Sequence, residues 1–143
     1  MDDTPSPPPG SAVLERSVSF RALHRYRRHD RHESRDRAEF GELVDPHPHD
    51  YRLTLYVVGP MDPVTGFAIA LPALDRALEE VVAPLRGGDL NALVFPEGER
   101  LPSCENLARW FFATLRDRIP PPARLRQVRL AESDDLAAWF PGG

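Results

Sequence analysis

The chain has 143 residues, enough for one domain around one core, and 41% of it is apolar. A formal charge of −4 gives no general attraction for nucleic acid, and no apolar run approaches the ~18 residues of a membrane span. The single cysteine, Cys104, excludes an internal disulfide, and the acidic, proline-rich start MDDTPSPPPG lacks the basic and apolar regions of a secretory signal, so the expected location is cytoplasmic.

Residues 1–11 read as a disordered Pro-rich tail, leaving 12–143 as a single domain. From Ala12 to Leu23 the mixed alternation of Val13, Val18, Phe20 and Ala22 predicts a strand. Arg25 to Arg37 is dense in arginine, histidine and acid; such a segment buries little and is expected to be an exposed loop. Tyr51 to Val58 (YRLTLYVV) alternates cleanly and is the clearest strand. Asp62-Pro63-Val64-Thr65-Gly66 has the chemistry of a β-turn, and Phe67 to Leu71 is expected to return as the second strand of a hairpin.

Pro72 suits the first turn of a helix whose apolar stripe is Leu74, Leu78, Val81, Val82 and Leu85, with Gly87-Gly88 as its stop. Ser103 is the expected N-cap of a second helix, with Leu107, Trp110, Phe111, Thr114 and Leu115 as its stripe and Pro120 to Pro122 as its end. Arg124 to Ala131 reads as a last strand. Grouped strands and grouped helices predict the α+β class with an antiparallel sheet.

Five histidines stand out: His24, His29, His32, His47 and His49. In extended backbone, residues two apart face the same side, so His47 and His49 can present two imidazoles to one ion at about 2.0–2.1 Å each. Three neutral imidazoles would leave a fourth position open, as in a catalytic zinc site. An isolated His-x-His pair is more often a surface feature, and spacing alone does not choose between His24 and His29 as the third ligand.

The arrangement of these residues resembles the 6-pyruvoyl-tetrahydropterin synthase and 6-carboxy-tetrahydropterin synthase family, from roughly residue 18 to residue 140. The motifs in order are Phe20-Arg21-Ala22-Leu23-His24, His47-Pro48-His49-Asp50-Tyr51, Asp62-Pro63-Val64-Thr65-Gly66, Pro102-Ser103-Cys104-Glu105-Asn106 and Glu132-Ser133. The resemblance implies the tunnelling fold: four antiparallel strands with two helices on one face. It also implies a homo-oligomer, a trimer or a hexamer of two stacked trimers, acting on a small molecule with no nucleic acid or membrane partner. It implies Zn2+ held by His24, His47 and His49. It assigns Glu132 to the guanidine-like edge of a pterin ring, where a carboxylate accepts two parallel N–H bonds. Ser133, Cys104 and Glu105 are its further substrate-binding candidates.

The departures concern proton chemistry. The family carries a cysteine four residues before the His-x-His pair, and here that position is Leu43. The family's Leu-Asp-His after the first helix corresponds to Leu85-Arg86-Gly87. Leucine and glycine carry no exchangeable side-chain proton, and arginine stays protonated. Losing one general acid–base typically costs 10²–10⁴-fold, so the family's conversion of 7,8-dihydroneopterin triphosphate is expected to need a substitute. Glu42 and His29 are the first catalytic candidates, since some family members use a glutamate near position 42; His32, Asp45, Asp50, Asp89 and Cys104 follow. Three outcomes are consistent with this pattern: a lyase or cyclase with altered acid–base residues, an enzyme turned to a specialised-metabolite substrate, or a non-catalytic module that binds a pterin or purine-like ligand.

Overall fold

The computed structural model describes residues 9–142. Four strands form one antiparallel sheet in the order β1 (Ser11–His24), β2 (His47–Pro60), β3 (Arg124–Ser133) and β4 (Leu136–Phe140). Helices α1 (Glu33–Phe40), α2 (Leu71–Val82), α3 (Leu90–Val94) and α4 (Cys104–Leu115) fill the connections. The α+β class is therefore as expected. Residues 1–8, which hold most of the expected tail, lie outside the described residues; Pro9 and Gly10 form a turn, and Ser11 already belongs to β1.

Alternation divides the sheet. Phe20 and Ala22 of β1, Tyr51, Leu53, Leu55 and Val57 of β2, and Leu125, Val128 and Leu130 of β3 lie in the apolar core. Leu74, Leu78 and Val81 of α2 and Leu107, Phe111 and Leu115 of α4 complete it. Phe111, wholly buried, sets its ring edge against Phe20, with centroids 6.0 Å apart. The Ser103 hydroxyl accepts the Asn106 amide at 3.2 Å, so α4 starts at the predicted cap.

Three expectations are corrected. The Arg25–Arg37 segment is not an exposed loop throughout, because α1 begins within it. Its organiser is Asp36, fully buried, which accepts from Arg31 Nε at 2.6 Å, the Arg28 amide at 2.9 Å and Arg27 Nη1. Burial alone would raise the Asp36 carboxyl, but the bonds from Arg31, the Arg28 amide and Arg27 outweigh it and hold the group below its usual range. Phe67 to Leu71 is not a strand. The turn forms, with the Gly66 amide on the Asp62 carbonyl at 2.8 Å, but the Asp62 amide bonds the Phe67 carbonyl and the loop closes on itself. Leu71 then opens α2, with proline in the first turn where its missing N–H is harmless. Finally, Arg124 to Ala131 is not the last strand: β4 follows it as the sheet edge, with Ala138 opposite Leu130 and Phe140 opposite Val128.

Pro48 sits inside β2, opposite Leu23, and this is sterically permissible for a simple reason. β3 begins to pair only at Arg52, so around Pro48 the strand has one neighbour and needs one fewer N–H.

Replacing Phe111 with alanine empties a fully buried aromatic site between α4 and β1, and is expected to cost about 3–5 kcal/mol. Denaturant unfolding of the variant measures it; a loss below ~1 kcal/mol would place Phe111 outside the core.

Candidate metal centre

The β1–β2 register places His24 opposite His47 and Ala22 opposite His49. All three imidazoles therefore project from one end of the sheet on its helix-covered face. Their ring centroids are 4.5 Å (24–47), 4.8 Å (24–49) and 5.2 Å (47–49) apart, with interplanar angles of 69°, 89° and 87°. One ligand atom from each lies within 4.8 Å of the others, and among the described residues this is the group able to hold a metal ion.

Tautomers follow from the partners. His24 Nδ1 lies 2.8 Å from the Pro102 carbonyl, which can only accept, so Nδ1 carries the proton; the Tyr51 hydroxyl oxygen is 3.0 Å from the same atom. His47 Nδ1 likewise donates to the Asp45 carbonyl at 2.8 Å. Backbone acceptors on one ring nitrogen leave the other as the lone pair, the usual support behind a metal-binding histidine. The Nε2 atoms of His24 and His49 are buried without a hydrogen-bond partner. Such an orphan is costly in a packed interior, and a metal ion held by these atoms would resolve it. His49 Nε2 is 3.3 Å from Glu132 Oε2, close enough for an ion pair but not aligned as a hydrogen bond.

The surrounding groups are largely engaged. Glu132, at the end of β3, is 9% exposed and accepts the Cys104 thiol at 3.2 Å on Oε1. Burial, then the bond to Glu132, pushes that thiol up to about 12, so Cys104 is a neutral donor. Burial also raises the Tyr51 hydroxyl well above the ordinary phenol range and the Tyr26 hydroxyl to about 12. Burial is the main reason His24 falls from 6.5 to about 4, with the neighbouring imidazoles adding to it and the Pro102 carbonyl opposing it. At neutral pH His24 is thus the neutral form a metal requires.

The other candidate residues are dispersed around this centre. Glu42 is exposed on the 3-10 turn Gly41–Val44, next to Leu43, which is 43% exposed. His29 packs against Gly98, where a Cβ would collide with its ring, in a cleft with Arg28, Asp30 and Arg100. It is not among the three converging imidazoles. Glu105 is exposed in the first turn of α4 beside Cys104. Ser133 is exposed and donates to Asp135 at 2.7 Å within the β3–β4 turn. His32 caps α1, Asp45 pairs with Arg37, Asp50 with Arg21, and Asp89 caps α3.

The segment from Arg86 to Asn91 clamps β1. Arg86 donates to the Ser19 carbonyl at 2.9 Å and pairs with Glu79; the Gly87 amide bonds the Arg21 carbonyl at 2.6 Å, and Leu23 bonds the Gly88 carbonyl at 2.8 Å. Gly87 has φ 71°, a conformation that disfavours any side chain. Asn91 completes the clamp through both backbone groups of Arg25. A residue missed from sequence is Tyr26, whose ring lies 5.1 Å from His24 and 6.2 Å from His47. Its position two residues after His24 was the available signal.

A four-stranded antiparallel sheet with helices on one face defines a tunnelling-fold protein, and the three imidazoles converging at one end of the sheet form a group that could hold a metal ion. The family model described as 6-pyruvoyl tetrahydropterin synthase matches residues 13–142, and the chain belongs to that family. It is 28% identical to the 6-pyruvoyl tetrahydrobiopterin synthase of Homo sapiens over 134 residues, covering 92% of both chains. Against the Drosophila melanogaster enzyme of the same description it is 27% identical over 125 residues, covering 85% of this chain and 74% of that one. The structure of Caenorhabditis elegans 6-pyruvoyl tetrahydropterin synthase superposes with a TM-score of 0.85 at 23% identity, covering 93% of this chain and 96% of that one. A Plasmodium vivax 6-pyruvoyltetrahydropterin synthase, a catalytic-residue mutant in which glutamate is replaced by alanine, superposes at 0.64 with 14% identity, covering 91% and 96%.

The lowered His24 pKa sets a pH dependence for the metal-free protein. The unfolded chain binds the His24 proton below 6.5, whereas the folded chain resists it until about 4. Stability from this group is therefore present above pH 6.5 and lost progressively as pH falls towards 4. Denaturant unfolding of metal-free protein between those limits should show this loss, and a His24→Gln variant should lack that part of it; equal pH slopes in the two would contradict the assignment.

Proposed function

We propose that the protein is a zinc-dependent lyase or cyclase that binds a pterin-type substrate with an oxygenated side chain and works with acid–base residues other than the family's usual set. The observation that carries this reading is the convergence of His24, His47 and His49 beside the buried carboxylate of Glu132. The donor set suits zinc: three imidazoles, two of them backed by backbone carbonyls and two with buried, unpartnered Nε2 atoms. When bound, zinc supplies polarisation of a substrate oxygen.

Glu132 is the proposed ring anchor. Its carboxylate has about four acceptor sites, and the Cys104 thiol uses one, so capacity remains for the paired N–H groups of a pterin edge. Cys104, Glu105 and Ser133 are proposed to shape the wall around it. Fixing the ring at Glu132 orients the substrate side chain relative to the histidines, which is where positioning lowers the barrier.

Proton transfer is assigned to Glu42 first and His29 second. Asp45, Asp50, Asp89 and His32 are engaged in structural contacts, whereas the Glu42 side chain is exposed and uncommitted. The Plasmodium vivax relative, described as carrying a catalytic glutamate, supports a carboxylate in that role. The expected working form is a homo-oligomer, trimer or hexamer, in the cytoplasm; no helix among the described residues is long and apolar enough to cross a membrane.

A second reading, a non-catalytic pterin-binding module, is favoured by one observation. Arg86 and Gly87, which the sequence resemblance puts at two of the family's acid–base positions, are committed to clamping β1.

Incubation of the zinc-loaded protein with 7,8-dihydroneopterin triphosphate, with products read by mass spectrometry, separates the two. The first reading expects a pterin product whose formation falls at least ~10²-fold in His49→Ala and in Glu42→Gln. Pterin retained without conversion supports the binding module. Conversion unaffected by His49→Ala would overturn the metal-centred account.

A further inference from the structure

Tyr26 stands out among the groups around the three histidines. Its ring is held from three sides: 5.1 Å from His24, 6.2 Å from His47 and 5.7 Å from Phe40. Phe40 is in turn covered by the Arg31 guanidinium at 5.5 Å, which links it to the buried Asp36. The Tyr26 amide donates to the Leu43 carbonyl at 2.8 Å, so backbone and ring are both fixed. Leu43 thus holds the Tyr26 backbone through its own carbonyl.

The hydroxyl is uncommitted. Tyr51 is on His24 Nδ1, the Cys104 thiol is on Glu132, and the carbonyls of Pro102 and Asp45 hold two of the imidazoles. Tyr26 is half-buried, and its hydroxyl makes no hydrogen bond to any described residue. Tyr26 packs on His24 and His47, whereas Glu132 approaches from His49, so the two flank the triad from different ligands. A donor with a fixed ring and no protein acceptor is a preorganised contact for a ligand oxygen.

We propose that Tyr26 is a substrate-positioning residue of this site: its hydroxyl donates a hydrogen bond to an oxygen on the side chain of the substrate whose ring Glu132 holds. The role rests on the pterin reading above and deepens it, because it selects pterins with an oxygenated side chain over those with a bare alkyl group.

The test is a fluorescence titration of the zinc-loaded protein with two probes, neopterin and 6-methylpterin, on wild type and Tyr26→Phe. Phenylalanine keeps the ring contacts and removes only the hydroxyl. The expected result is neopterin binding weakened about tenfold, 6-methylpterin binding unchanged within about twofold, and zinc content the same. An equal loss for both probes would make Tyr26 a packing residue only and overturn the proposal, as would neopterin binding unchanged in the variant. Wild type that binds neither probe would overturn the pterin reading itself, and this role with it.

Discussion

The antiparallel register between β1 and β2 is the constraint on which the site depends. Side chains alternate faces along a strand, so His47, His49 and Tyr51 share the core side of β2, and the pairing of His24 with His47 brings the third imidazole onto the same side. A slip of one residue would send His24 to the opposite face and dissolve the cluster. Two contacts from outside the pair hold the arrangement. The Pro102 carbonyl, just before α4, grips His24, and the Cys104 thiol at the start of α4 grips Glu132 on β3. The first turn of one helix thus ties the end of β1 to the end of β3, across the strand that carries the other two histidines.

That dependence explains what could be read in the sequence and what could not. The alternation of Tyr51, Leu53, Leu55 and Val57 is a local signal that locates β2; the Ser103 hydroxyl caps α4 by accepting the amide of Asn106 three residues on, which is equally local. α1 gives no such signal. Its residues have no apolar stripe, and its order derives from a carboxylate, Asp36, buried by arginines at positions 27 and 31. A charged segment is read as solvated unless the partners that bury it are known. β4 is five residues of LAAWF whose identity as a strand comes from pairing with β3. For the site, the His-x-His spacing and the ordered motifs sufficed to nominate the three imidazoles and Glu132. The backbone carbonyls of Pro102 and Asp45, and the free hydroxyl of Tyr26, are properties of tertiary placement and leave no mark in composition or spacing.

Arg86, Gly87 and Leu43 each make a structural contact. Arg86 spends its guanidinium on the Ser19 carbonyl and Glu79, Gly87 adopts a backbone conformation suited to glycine, and the strand edge of β1 is covered as a result. Leu43 contributes a carbonyl to Tyr26. The imidazole cluster and the buried Glu132 lie at the ends of β1, β2 and β3, so the proposed metal and ring contacts are tied to the same register that builds the sheet.

Zinc K-edge X-ray absorption on the purified, zinc-loaded protein is the most direct measurement of the central claim. The account predicts three nitrogen ligands at about 2.0–2.1 Å and one further light atom, with the nitrogen shell disrupted in His24→Ala. A sulfur shell at about 2.3 Å, which would recruit Cys104, or a spectrum indifferent to His24, would contradict it.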